Sequence, residues 1–192
     1  MFGAWDAGIT CYKWHGLGLN STAFFYQPVY YDPARLGDAG WDIAQPRPLF
    51  LGLWAFASTV QPGSRLLAIN ATGMGQLLRA WATHNASAVA VTVLNKQGAG
   101  DSEAVVVHPA TACLPGEAAS LVRLTSGPGG LAASAGSAYA NQSFDGTTDG
   151  IPVGTRAVER VPCEAGAYAF SVPAASAAFL AYSVAGASSA SF

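Results

Sequence analysis

Carboxyl groups are the first candidates for chemistry in this chain, because two carboxyl groups that face one another can act as acid and base. Four glutamates occur, each beside a predicted turn or strand end: Glu103, Glu117, Glu159 and Glu164. We interpret all four as solvated residues at the ends of strands. Asp6 and Asp32 lie nearer the N-terminus, without a recognisable catalytic setting. We therefore predict no catalytic residue in this chain.

His15 has the most suggestive position among the histidines. It ends a predicted strand, Gly8–His15, and a glycine-rich loop follows it. The ends of such strands are where α/β barrels place their active sites. We predict a substrate-binding group made of His15, its neighbour Trp14, and Tyr26 from the aromatic loop Phe24–Tyr31, whose rings could stack on sugars. The alternatives are a structural histidine and aromatic side chains that only cap a core.

Metal binding and acyl transfer find no support in the sequence. His84 and His108 stand in predicted strands without metal-ligand partners. The cysteines do not form a C-x-x-C pair, and no G-x-S-x-G elbow is present. We predict no metal site and no cofactor.

The cysteines allow one internal disulfide. Cys113 and Cys163 occur in similar contexts, CLPGE and VPCEAG, both in the region predicted to be β. We predict a disulfide between them, and the alternative is two buried thiols. Cys11 would then have no partner, which fits a chain whose partner residue is missing.

Four Asn-x-Ser/Thr sequons begin at Asn20, Asn70, Asn85 and Asn141. Such triplets are acceptors for N-linked glycans, and four of them favour a secretory history, with the protein secreted or in a lysosome or vacuole. Asn85 is the best candidate, because it lies in a predicted hairpin turn. The first residues do not form a signal peptide, so we expect the true N-terminus to lie upstream.

Composition restricts the class of partner. The chain has 192 residues, of which 51% are hydrophobic and 10% charged, and this combination argues for a packed core rather than disorder. Its net charge of −2 gives no electrostatic basis for binding nucleic acid or an anionic membrane. No stretch is long and apolar enough to cross a bilayer. We expect neither nucleic acid nor a membrane among the partners.

The element that organises the predicted fold is a hairpin over Leu77–Lys96. Ala88–Leu94 is an unbroken run of small, β-branched and aliphatic residues, which is typical of a strand buried on both faces. Thr83–Ser87 supplies the polar turn before it. Further strands are predicted at Arg65–Ile69, Glu103–His108, Ala118–Thr125, Gly166–Val172 and Ala177–Val184. Ser126–Thr155 is predicted to be a long loop or to hold one short edge strand.

One helix is predicted before the strands, over Arg47–Val60. Pro48 suits its first turn, and Gln61-Pro-Gly ends it. Leu49, Leu53 and Phe56 fall on one face of a broad apolar stripe, so the helix needs a large apolar partner surface.

The order of these features resembles the C-terminal end of a glycoside hydrolase family 79 chain, the β-glucuronidase and heparanase-like group. The resemblance is carried by the strand GITCYKWH, the helix PLFLGLWAFA, the hairpin LRAWA…AVTVLNK, and the segments AASLVRLT and VPAASAAFL. Members of that family have a (β/α)8 barrel followed by a β-sandwich. Their two catalytic glutamates belong to earlier barrel strands, the first usually in an Asn-Glu pair, and this chain has no Asn-Glu and no glutamate before Glu103.

The resemblance implies a mainly β chain, in which residues 1–62 are the last strand and helix of a truncated barrel and residues 63–192 form a β-sandwich. It implies an accessory region that lacks both catalytic glutamates and supports the barrel of a retaining glycoside hydrolase. The expected partners are that upstream (β/α)8 barrel and a glycan or glucuronide substrate. The alternative is a free-standing secreted β-sandwich that binds carbohydrate or serves a structural role.

Overall fold

The computed structural model describes residues 28–31, 43–100, 102–133, 135–147 and 149–184. The described helices and strands are, in chain order, β1 (Val29–Tyr31), β2 (Ile43–Pro46), α1 (Pro48–Thr59), β3 (Arg65–Leu67), β4 (Leu78–His84), β5 (Ala88–Asn95), β6 (Glu103–Val107), β7 (Ala118–Thr125), a 3-10 turn (Gly130–Ala132), β8 (Ala138–Tyr139), β9 (Glu159–Glu164), β10 (Ala167–Val172) and β11 (Ser176–Ser183). The mainly β fold class predicted from the sequence is confirmed.

A nine-stranded antiparallel sheet contains most of these strands. Its order is β3-β4-β5-β11-β7-β9-β10-β6, and β8 pairs with β7 beside this path. The sheet curls so that β10 lies against β5 and β11, giving two layers. β1 and β2 form a separate two-stranded antiparallel ladder.

β9 is the strand that passes from one layer to the other. Glu159–Pro162 pair with β7, whereas Cys163 and Glu164 pair with β10. Pro162 stands at the change of partner, where a residue without an N–H donor is tolerated. The sequence did not predict β9, because its proline and its charged residues hide the alternation of the buried Val161 and Cys163.

β5 and β11 lie at the centre of the sheet and are buried on both faces. Ala88 to Asn95 pair with Ser183 to Ser176 over eight register positions. The hairpin of β4 and β5 agrees with the prediction, and so does the continuous burial expected of the second strand. Along β11, alternate residues face opposite sides of the sheet, as the strand geometry requires. Leu180 joins the core between the layers and Phe179 joins the core beneath α1.

The inner core, defined as the apolar cluster between the two layers, is almost entirely aliphatic apart from Tyr168 and the cysteines. Leu78, Val91, Leu121, Val172 and Leu180 are representative members. Each comes from a different strand, so the cluster joins β4, β5, β7, β10 and β11. Burial of this surface is the main source of the fold's stability.

The outer core, defined as the cluster between α1 and the opposite face of the sheet, has a different composition. It combines Leu51 and Ala55 of the helix with Val122, Tyr139 and Phe179 of the sheet. The predicted helix is confirmed to within one residue at each end, but the predicted face is not the most buried one. Leu51, Ala55 and Thr59 are buried, and Leu49 and Leu53 are half-buried. The reason is that apolar residues surround this helix, so its sequence does not single out one face.

Candidate functional site

The predicted substrate-binding residues cannot be placed. His15, Trp14 and Tyr26 lie outside the described residues, as do the sequon residue Asn20 and the strand predicted over Gly8–His15. Their roles stay predictions, and so does the domain boundary at residue 62.

Three of the four glutamates make structural contacts. Glu103 accepts a hydrogen bond from Gln97 Nε2 at 2.5 Å, and Glu117 accepts one from the Leu114 N–H at 2.8 Å. Both carboxyl oxygens of Glu159 bind the guanidinium of Arg123, at 2.5 and 3.0 Å. These bonds fix loops and join strands, which fits residues at strand ends rather than an acid and base pair.

The described part of the chain contains no group of three or more His, Cys, Asp or Glu side chains that could hold a metal ion. Within the same residues, no helix has the length and apolar character needed to cross a membrane.

Among the described residues, two tyrosines at the inner core have a raised pKa. Burial raises the pKa of Tyr168, with a further rise from the charge of Glu117. Burial also raises the pKa of Tyr182, whose ring lies 5.4 Å from that of Tyr168. The raised pKa values favour the neutral phenol in the folded state, so the contribution of these two groups to stability is lost as the pH rises above the ordinary tyrosine pKa of about 10. Neither phenol is suited to proton transfer near neutral pH.

The aromatic interface between α1 and the sheet is the most distinctive feature of the described residues. The ring of Trp54 meets that of Tyr139 edge-on at 5.2 Å, and Phe50 meets Phe144 edge-on at 5.1 Å. Tyr139 in turn lies 5.8 Å from Phe179 at a right angle. Edge-to-face pairs of this kind stabilise packing beyond the buried area alone. They hold α1 on the outer face of the sheet.

A tight turn presents Tyr139 to the helix. Tyr139 and Gln142 exchange backbone hydrogen bonds of 2.9 Å across the two residues Ala140 and Asn141. Both central residues have positive φ, 52° and 61°, which is the requirement of a type I′ turn. The guanidinium of Arg156 lies 5.8 Å above the Tyr139 ring on another side. The sequence did not predict this role, because Tyr139 and Phe144 stand in a stretch dominated by Gly, Ser and Ala.

Two buried hydroxyls on the outer side of the sheet lack hydrogen-bond partners among the described residues. They are Tyr139 Oη and Thr92 Oγ1. Thr92 pairs in register with Phe179, which contacts Tyr139, so the two groups lie in one neighbourhood of the outer core. Buried hydroxyls are normally bonded, so the hydrogen bonding of this neighbourhood is less complete than that of the inner core.

The ends of α1 lack favourable side-chain charges. Arg47 at the N-cap makes no side-chain bond to the helix, the first turn has no acidic residue, and the last turn has no basic one. A cavity of about 170 Å³ adjoins Pro48 at the start of the helix, and one of about 40 Å³ adjoins Ser58 and Thr59 at its end. The C-terminal end is capped by the Val60 N–H, which donates to the Phe56 carbonyl, and by Gln61 Nε2, which donates to the Ser58 carbonyl, so a side-chain cap is missing only at the N-terminal end.

The structure joins Cys113 and Cys163 in a disulfide, with the Cα atoms 6.0 Å apart. The bond connects the loop before β7 to β9 at the edge of the inner core. Of the sequon residues, Asn70 is exposed in the loop after β3, Asn85 lies in the β4–β5 turn, and Asn141 lies in the turn that presents Tyr139.

Comparison with known proteins finds similarity in structure only. No protein-family model matches the chain, and neither does any curated protein. The structure is similar to the arabinose-bound MgGH51 α-L-arabinofuranosidase, with a TM-score of 0.53 and 15% identity over 86% of this chain and 22% of that one. The chain has a glycoside-hydrolase-like fold.

Two further glycoside hydrolases match with lower TM-scores. A GH30 endoxylanase from Clostridium papyrosolvens C71 gives a TM-score of 0.46 and 12% identity over 71% of this chain and 28% of that one. A 4-O-α-L-rhamnosyl-β-D-glucuronidase from Fusarium oxysporum 12S gives a TM-score of 0.41 and 22% identity over 61% of this chain and 25% of that one. The matched part of each of these enzymes is less than a third of its length.

Proposed function

We propose that this chain is the C-terminal accessory β-sandwich region of a β-glucuronidase-like glycoside hydrolase of family 79. In this proposal the hydrolysis of β-glucuronides belongs to an upstream (β/α)8 barrel, which supplies both catalytic glutamates. The chain itself supports the barrel, and His15, Trp14 and Tyr26 line one side of its substrate cleft. The protein acts outside the cell or in a lysosome or vacuole, in keeping with a disulfide of the kind that persists in oxidising compartments.

The observation that carries the proposal is the setting of α1. This helix is apolar on all sides, lacks favourable charges at both ends, and covers a sheet face that retains two cavities. Leu49 and Leu53 remain half-buried on the side away from the most buried stripe. A helix of this composition suits a position between two apolar layers, one of which is the sheet and the other the barrel.

A hydrolysis assay tests the proposal. The purified 192-residue chain should release no 4-nitrophenol from 4-nitrophenyl β-glucuronide beyond the rate of the buffer. Should it turn over the substrate, Glu117→Gln and Glu159→Gln would locate the source. Loss of turnover in either variant would place the chemistry in this chain and contradict an accessory role. Turnover that survives both variants would contradict it equally, since the chain would still be catalytic.

The second candidate, a free-standing β-sandwich module, is favoured by the closed inner core and its disulfide. A carbohydrate-binding surface normally offers exposed aromatic rings, however, and every aromatic side chain described in residues 46–184 is buried or half-buried. Calorimetric titration with glucuronic acid-containing oligosaccharides distinguishes the two candidates. Saturable binding by a monomeric, cooperatively folded chain would favour the module, and no binding with exposed apolar surface would favour the accessory region.

A further inference from the structure

The two halves of the Asn85 amide have different roles in the β4–β5 turn. Asn85 Oδ1 accepts hydrogen bonds from the N–H groups of Ser87 and Ala88, both at 2.9 Å, and from Ser87 Oγ at 3.0 Å. No described residue accepts a hydrogen bond from Asn85 Nδ2. The carbonyl half of the amide therefore builds the turn, and the nitrogen half is left for another partner.

Attachment of a sugar to this nitrogen would leave the turn intact. An N-glycosidic bond replaces one hydrogen of the amide and keeps its carbonyl oxygen, so all three hydrogen bonds to Oδ1 persist. Asn141 differs, because its Nδ2 donates to the Thr155 carbonyl at 3.3 Å and its backbone has a φ of 61°. Asn85-Ala-Ser is thus a sequon whose folded geometry is compatible with a glycan.

A small cavity lies beside Asn85. It has a volume of about 40 Å³, and Asn85 itself is one of its lining residues. Three alanines form an apolar part of the lining: Ala88, Ala90 and Ala181. This volume has room for a methyl group.

The rest of the lining is polar and comes from the end of α1, the turn after it and the end of β4. Ser58, Gln61 and Ser64 line it, and Gln61 Nε2 donates to the Ser58 carbonyl at 2.8 Å. The lining of the cavity thus combines apolar methyl groups with hydroxyl and amide groups. An N-acetylglucosamine residue has the matching chemistry, an acetamido methyl and a ring of hydroxyl groups.

We infer that Asn85 carries an N-linked glycan whose first N-acetylglucosamine places its acetamido group in this cavity and joins the end of α1 to the β4–β5 hairpin. The glycan then adds a contact between the hairpin and the C-terminal end of the helix, where the last turn has no basic residue. This inference concerns the folded sandwich and holds whether or not the chain is part of a hydrolase.

The test uses the full chain secreted from a yeast or mammalian cell. Glycopeptide mass spectrometry should find Asn85 occupied. The protein trimmed to one N-acetylglucosamine should melt about 2–4 °C above the same protein made with tunicamycin, the shift expected for a contact of ordinary strength in a domain of this size. Each variant is compared with its own unglycosylated form. Asn70→Gln should keep the difference in melting temperature, and Asn85→Gln should abolish it.

Gln61→Ala identifies where the sugar sits. It should reduce the difference in melting temperature between the glycosylated and unglycosylated forms, while lowering the melting temperature of the unglycosylated form only slightly, since the hydrogen bond from Gln61 to the Ser58 carbonyl is exposed to solvent. An unoccupied Asn85 would overturn the inference. If Asn85 is occupied but the melting temperature does not change, the sugar does not bind in the cavity. The same conclusion follows if Gln61→Ala leaves the difference in melting temperature intact.

Discussion

The two faces of the central sheet are built in different ways. On the inner side, two layers of strands enclose an aliphatic core and are joined by specific polar bonds. Asn95, fully buried, donates from Nδ2 to the Val172 carbonyl, and Arg123 donates to the neighbouring Ser171 carbonyl at 2.7 Å. The Cys113–Cys163 disulfide closes the same core. The inner side is therefore complete within this chain.

On the outer side, one helix and a group of aromatic rings cover the sheet. Two buried hydroxyls there lack described partners, and a cavity adjoins each end of α1. The contrast indicates that the inner core is the more complete of the two, and the outer core is the layer to which we propose that the barrel and a glycan are added. Substitutions on the two faces test this difference.

Removal of the disulfide should have the largest effect. Cys113 and Cys163 are separated by 50 residues, and in the loop-entropy model a cross-link over that length stabilises the fold by about 4 kcal/mol. The double variant Cys113→Ala with Cys163→Ala should lose about that free energy of unfolding, measured by urea denaturation. A loss below about 1 kcal/mol would show that the inner core does not depend on this closure.

Neighbouring residues of β11 compare the two faces directly. Leu180 is fully buried in the inner core and Phe179 is 3% exposed in the outer core. Leu180→Ala should cost about 4 kcal/mol, because the surrounding layers cannot collapse into the space. Phe179→Ala should cost no more than about 3 kcal/mol despite the larger side chain, because α1 can shift toward the sheet. The reverse order in equilibrium unfolding would contradict the proposed difference in completeness.

Removal of the unpaired hydroxyls should be harmless. Tyr139→Phe and Thr92→Val each delete a buried polar atom that has no described partner, at nearly constant volume. Stability should stay the same or rise by up to about 1 kcal/mol, since a buried unpaired hydroxyl is unfavourable. A fall of more than about 1 kcal/mol in thermal or urea unfolding would mean that these hydroxyls are bonded in solution. Tyr139→Leu is the control, because it removes the ring contacts and should destabilise.

A backbone change far from both cores should have the smallest effect. Ala165 has a φ of 49° in the two-residue turn between β9 and β10 and is followed by Gly166. Ala165→Asn creates the Asn-Gly pair that type I′ turns favour and should raise stability by about 0.5 kcal/mol. The same substitution at Ala104, exposed in the extended strand β6, should give no gain. Equal effects at both positions would show that the turn conformation is not responsible.

Much of the inner side could be predicted from the sequence, because strand periodicity and turn residues are local signals. The hairpin, the helix and five further strands followed from such patterns. β9 could not be predicted in this way. Its charged residues, and the proline where it changes partner, obscure the alternation of buried and exposed positions. The outer core was also missed, because Tyr139 and Phe144 are isolated aromatic residues in a Gly- and Ser-rich stretch and give no periodic signal.

Hydrogen exchange decides whether the outer layer is incomplete. In the isolated chain, amides of α1 (Pro48–Thr59) should exchange at least about 100-fold faster than those of β5 and β11, because the helix has no favourable charges at its ends and its surface is incompletely covered. That result is the one expected if the outer layer awaits further protein. Equal protection of α1 and the central strands, measured by mass spectrometry at neutral pH, would show that the helix is already complete and would contradict the difference between the two faces.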